Sequence, residues 1–400
     1  MKKQLSKYLI LFASISLLLS CNDTQDELEI EEGITEHKYL RILISDELTT
    51  ELSLVNPFLD EVETFNAKFA KSALYTTESG RFAALIHRDN NFTETFDSGY
   101  EFHGDHVDVR GTPKFGALVG NSLAPTHFKS KKGELMTFND GDGTLSIGKE
   151  SDIHTPGAEL KTIDAGILKH HGAMATFNNG NYAITEKDNT IPGALPERVK
   201  IIDANGNTMH ASTIATTGIH GNATDGTFAV FGSKEGILVV ESNGNQKLIS
   251  LPLGFDTAWF GTIRETAVNG KFIGYTRLKG AFLIDVEEEK VTPIYESTDI
   301  MHCVTSFNNN KLGVLLNSGT LKVIDLFSLS VVKEVQAIDS DFEPTQKPQI
   351  ILSERFAYIT SPKTGELVQV NLQATGIKKI KVTQTPYRLT FIGHENSIDH

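Results

Sequence analysis

Hydrophobic positions along this chain come in short bursts. From residue 37 onward, apolar-rich runs of 5–8 residues are separated by Gly, Asn and Asp, the pattern of β-strands bounded by tight turns. GELMTFND, GTLSIGKE and ELKTIDA at 133–165 form one group, and GNYAITEKD, RVKIIDANGN and TMHASTIA at 180–215 the next. The order returns in TFAVFGS, GILVVESNGN and QKLISLP at 227–252, and in GKFIGYTRL, GAFLIDVEEE and VTPIYES at 270–297. It returns again in NKLGVLLNS, GTLKVIDLFS and VVKEVQAI at 310–338, and in RFAYITSPK, GELVQVNLQ and IKKIKVTQ at 355–384. Each group is preceded by one further strand, so the unit is four antiparallel strands. Nothing reads as a long amphipathic helix.

The second strands begin at Leu135, Tyr182, Phe228, Phe272, Leu312 and Phe356, in steps of 47, 46, 44, 40 and 44 residues. A helix-free four-strand repeat of this period predicts a β-propeller. RFAALIHRD at 81–89, led by SALYTTES, adds a unit upstream, whereas KYLRILISD, ELSLVNP and EVETFNA at 38–67 supply three strands without a fourth. The strand left over at the other end, TPYRLTFIG at 385–393, completes that first unit and closes the ring, leaving no free sheet edge. The count is eight four-stranded blades, or seven if one pairing is miscounted. Residues 36–400 are read as one all-β domain.

In a propeller the first strand of each blade lines the central channel, and the strand starts share one face. His127 stands 8 residues before Leu135, His171 stands 11 before Tyr182, His220 stands 8 before Phe228 and His302 stands 10 before Leu312. Four blades thus place a histidine at the entry of the innermost strand, and His127, His171 and His220 come from consecutive blades. The equivalent stretches WFGT at 259–262 and QKPQ at 346–349 have none. A single such histidine is ordinarily a packed ring bonded to a carbonyl, and the glycine after it in HHG and IHG can simply mark a bend. Several in register are different, because blade packing does not call for imidazole at a channel mouth. Neutral imidazoles converging from separate strands make a zinc-type site, with a carboxylate or water as fourth ligand. Neighbouring strand side chains point in opposite directions, so His171 is the expected ligand and His170 its support or a bystander.

A second cluster, FHGDHVDVRG at 102–111, gathers His103, Asp105, His106 and Asp108. It reads as a polar loop whose donors can sit over the same channel face. HGDH at 103–106, FNDGDGTLSI at 138–147, KHHGAMATFNNG at 169–180 and IHGNATDGTFAVFGSKEGILVV at 219–240 resemble the AztD family of periplasmic zinc metallochaperones. The resemblance spans roughly residues 70–250. It implies a propeller with zinc held at the central channel by histidines and a carboxylate, and delivery to the solute-binding protein of a zinc ABC transporter. On the matching motifs the ligands are His127, His171 and His220, with Asp105 or Asp140 as the carboxylate. The chain departs from the family by lacking a cysteine pair around the third histidine motif and by its lipid-anchor signal.

That signal is MKKQLSKYLILFASISLLLS, residues 1–20: lysines, then an apolar core too short for a stable span. It runs into Cys21 as LLSC, which resembles a lipobox, so Cys21 is the expected lipidated N-terminus of the mature chain. Residues 21–35 are an acidic tether with little to bury. Removing residues 1–20 deletes three lysines and no acid, so the formal charge falls from −14 to −17. A chain this acidic is a poor partner for nucleic acid. With Cys21 lipidated, Cys303 has no disulfide partner. Three functions remain in view: a metal-holding or metal-passing protein anchored to the cell envelope, a metal-dependent propeller hydrolase, lactonase or lyase, and an interaction scaffold with structural histidines. GxSxG, HExxH and phosphate-loop motifs do not occur.

Overall fold

The strand groups read from the sequence assemble into eight sheets of four antiparallel strands each, in a computed structural model that describes residues 38–104, 106–340 and 346–395. The signal segment, Cys21, the tether and Asp105 lie outside the described residues. The seven-blade alternative is thereby excluded. Blade 1 takes its innermost strand from the C-terminus: Pro386–Gly393 pairs antiparallel with Leu40–Asp46, in register from Leu40 opposite Gly393 to Ser45 opposite Arg388, with a slip before Asp46 opposite Pro386. The innermost strands of successive blades touch around the ring and line the channel.

The blades are held by what lies between them. Each alternating strand turns one side chain toward either neighbour, and the buried apolar residues divide into eight clusters, one at each blade–blade junction. The junction of blades 4 and 5, for example, stacks Ala173, Ala175 and Phe177 against Ala229, Phe231 and Leu238. The ring is closed by Leu389 and Phe391 against Tyr358 of blade 8 on one side, and by Ile392 against Leu74 and Phe96 of blade 2 on the other.

A buried carboxylate locks the closing strand. Asp46 accepts the Leu48 and Thr49 amides at 2.8 and 2.7 Å. From the other terminus it accepts the Thr385 amide and hydroxyl at 2.7 and 2.8 Å and the Thr383 hydroxyl at 2.5 Å. Burial pushes the Asp46 carboxyl up, but the Thr383 and Thr385 bonds outweigh it and hold it below its ordinary 3.8. A depressed folded-state pKa means stabilisation that is complete above the ordinary carboxylate value and lost as pH falls from there through the lower folded-state value. Asp46→Ala should therefore cost about 3–5 kcal/mol at neutral pH, with the penalty shrinking below about pH 4. Urea melts of both proteins at pH 7 and pH 3.5 check this.

The FHGDHVDVRG stretch is no open loop over the histidine face. It forms a hairpin, Tyr100–His103 against His106–Val109, inserted between the third and fourth strands of blade 2. Phe102 packs on His394 with ring centroids 5.2 Å apart, and Tyr100 bonds Arg41 at 2.6 Å. Residues 393–394 follow the far end of the closing strand, whereas His127 lies near the start of its own innermost strand. The hairpin thus sits at the opposite end of the channel from the histidines in register, a consequence of topology that linear proximity to His127 concealed.

Candidate metal centre

Three adjacent blades bring three imidazoles together at the channel mouth. His127 belongs to the innermost strand of blade 3, Pro125–Lys131, whose register slips between Pro125 and His127; such a bulge re-aims the side chain that follows it. His171 precedes the blade 4 strand Met174–Thr176, and its amide bonds the Ala194 carbonyl at 2.8 Å. His220 precedes the blade 5 strand Asn222–Thr224, with its amide on the Gly232 carbonyl at 3.1 Å. His171 Nε2 lies 3.4 Å from His127 Nε2 and 3.2 Å from His220 Nε2. His127 and His220 are wider apart, with ring centroids separated by 6.1 Å, so His171 is the shared member of both short edges.

The glycines after two of these histidines are steric requirements. A Cβ on Gly172 would stand 2.2 Å from the Phe138 ring, and one on Gly221 would stand 2.6 Å from the Thr262 backbone. Only glycine lets the chain pass that close to the neighbouring blade.

Partners behind the rings fix which nitrogen carries the proton. His171 Nδ1 lies 2.7 Å from Asp140 Oδ2, and His220 Nδ1 lies 2.7 Å from the Gly261 carbonyl oxygen. A carbonyl and an ionised carboxylate only accept, so each Nδ1 donates. A ring that carries its single proton at Nδ1 presents a lone pair at Nε2. Burial pushes the Asp140 carboxyl up, but hydrogen bonds led by the one from His171 outweigh it and keep it below its usual value, hence ionised. Burial, reinforced by His171, pushes His127 down to about 4, so that ring is neutral at pH 7. When both rings are neutral, two lone pairs face each other across 3.2 Å, an arrangement that a shared proton or a metal cation relieves. Nitrogens bound tetrahedrally to zinc at about 2.0–2.1 Å are themselves about 3.3–3.4 Å apart, close to both short edges. The two His171 edges fit such an ion, whereas the wider His127–His220 edge has to close on binding; the Asp140–His171 and Gly261–His220 pairs are the outer-shell supports that histidine ligands ordinarily have.

The other candidates are placed differently. His170 is buried, with Nδ1 donating to the Leu168 carbonyl at 2.6 Å and Nε2 at 2.8 Å from the Thr185 hydroxyl; it packs on Phe138 and takes no part in the convergence. Asp140 stands behind His171, as an orienting partner. His302, at the register position on blade 7, accepts a hydrogen bond from the Gln349 amide at 3.1 Å and joins no edge of the trio. His103, His106 and Asp108 bring donor atoms within 4.8 Å of one another at the far hairpin, but Arg110 already pairs with Asp108 at 2.8 Å. Against a metal there, Arg110 competes for the carboxylate, and His103 is exposed. Sequence reading missed the Gly261 carbonyl and Trp259, whose ring centroid is 6.5 Å from that of His220. For Trp259 the signal was present: WFGT occupies the same register as HHG and IHG.

Fold and site together define an eight-bladed propeller with an imidazole cluster at one channel mouth. No family model matches the sequence. In fold the chain is similar to AztD from Citrobacter koseri, with a TM-score of 0.79 and 19% identity over 90% of this chain and 100% of that one. Apo AztD from the same organism gives a TM-score of 0.78 at 18% identity, over 90% and 99%. The dihydro-heme d1 dehydrogenase NirN aligns less well, with a TM-score of 0.58 and 12% identity over 89% and 75%. The shared property is the propeller.

Proposed function

We propose that this protein is an envelope-anchored zinc carrier: exported, lipidated at Cys21, and holding zinc on His127, His171 and His220 for transfer to the solute-binding protein of a zinc transporter. The observation that carries the reading is the approach of Nε2 on His171 and His220 to 3.2 Å, with Nδ1 of each ring held from behind by an acceptor. The AztD-like motifs and the shared fold support zinc as the ion and transfer as the role. Zinc here is cargo. An all-imidazole set at a channel mouth gives it up by stepwise ligand exchange, each ring passing to a partner's donor while Asp140 and Gly261 keep the vacated rings aimed. A hydrolase or lyase alternative needs a free acid or base beside the ion; the nearby carboxylate, Asp140, is engaged with His171.

Calorimetric titration of metal-free protein with zinc should give one tight equivalent, released when an apo solute-binding protein is added. Zinc binding no tighter than that of a His127, His171 and His220 triple alanine variant would contradict the reading.

A further inference from the structure

The formal charge of the chain is −14, yet one pocket in the channel is built from cations. It encloses about 450 Å³ beside His220, and its walls include Trp259, Arg264, Arg277 and His302. Among the described residues no carboxylate lines it. Arg264 is half-buried on the pocket wall, and its Nε donates to the Cys303 carbonyl at 3.0 Å, a neutral partner that leaves the charge uncompensated. Cys303 cannot supply it, since burial pushes that thiol up to about 12. Arg388 and Lys347 add to the field: after burial itself, Arg388, Arg277, Arg264 and Lys347 drive His302 down to about 4. Among the described residues none of Arg264, Arg277 and Arg388 forms an ion pair with a carboxylate. The adjoining Lys129 is likewise half-buried and is acted on by Glu265, whose carboxylate accepts the Thr224 amide at 3.4 Å.

Enclosed charges are ordinarily paired, because an unpaired one costs several kcal/mol. Arg264 and Arg277 put two guanidinium groups on the wall of one cavity of an acidic protein, with Arg388 near enough to act on His302, a setting that suits an anionic ligand. Guanidinium forks bind carboxylates in bidentate fashion. The remaining walls, Leu195, Tyr275, Met301 and the Trp259 ring, suit a ligand with some hydrocarbon. The volume is that of a small-molecule site.

We propose that this pocket binds a small organic dicarboxylate, anchored by Arg264 and Arg277 with Trp259 and His302 as walls. The site stands on its own side chains and does not rest on the zinc reading. The test uses metal-free protein at low ionic strength and calorimetry with malonate or succinate, with malonamide as neutral control and phosphate as inorganic control. The dicarboxylates should bind, and malonamide should not. Arg277→Gln, on an exposed side chain that folding does not need, should weaken binding at least about tenfold, as a lost charge-assisted bond does; Arg264→Gln should do the same. Lys379→Gln, on the outer surface, should leave it unchanged. His171→Ala should also leave it unchanged, so failure here and failure of the zinc reading are separable. Equal binding of malonamide, equal or tighter binding of phosphate, or unaltered affinity in Arg277→Gln would overturn the proposal.

Discussion

Replacing His171 with alanine abolishes the zinc-dependent rise in melting temperature expected of the wild-type domain. A ligand that binds only the folded state stabilises it by RT ln(1 + [L]/Kd), about 4 kcal/mol at a thousandfold excess over Kd, which is several degrees for a domain of this size. His171 belongs to both short nitrogen–nitrogen edges, so its loss leaves His127 and His220 as the more distant pair. His127→Ala and His220→Ala remove one edge each and should reduce the increment strongly. His170→Ala is the informative control. That ring is bonded at both nitrogens inside blade 4, so its removal should lower the melting temperature without metal and leave most of the zinc increment. His302→Ala should also preserve the increment. If His170→Ala and His171→Ala lost the increment equally, the division of roles between the two adjacent rings would fail.

Deleting residues 386–400 opens the ring. The lost strand pairs with Leu40–Asp46 along its length and carries Leu389, Phe391 and Ile392 into two blade junctions. Burying three such side chains contributes about 5–9 kcal/mol, comparable with the whole stability of an ordinary domain. Deletion also exposes unpaired edges of blade 1, where other chains can add. Light scattering and calorimetry should show aggregation or loss of the cooperative transition. A truncated protein that stays monomeric with unchanged melting would show that closure is dispensable.

Most of the architecture was legible in the sequence because propeller blades are local. Nearly every strand pairs with its chain neighbour, so turn residues and apolar runs mark the blades directly; the ring-closing pairing announced itself as three strands at one end and one at the other, whereas the pairing across the hairpin inserted in blade 2 did not. The histidine register was legible for the same reason, since equivalent positions on repeated blades point to one axis. What escaped reading depends on contacts across blades. His302 matches the register, but its neighbours are Gln349 and a set of arginines, which spacing does not reveal. Asp140 suggested a ligand by residue type, while its place behind His171 depends on where the loop after the Glu134–Asn139 strand meets blade 4. The HGDHVD stretch lies close to His127 in sequence and at the other end of the channel in space. The Gly261 carbonyl, being backbone, carries no residue signal.

The most direct measurement of the central claim is anomalous diffraction at the zinc absorption edge from crystals grown with one equivalent of zinc. The account predicts a single strong peak at the channel mouth, about 2.0–2.1 Å from Nε2 of His127, His171 and His220, with Asp140 still on His171 Nδ1. A peak confined to His103, His106 and Asp108 at the far hairpin, or none at the mouth, would contradict it.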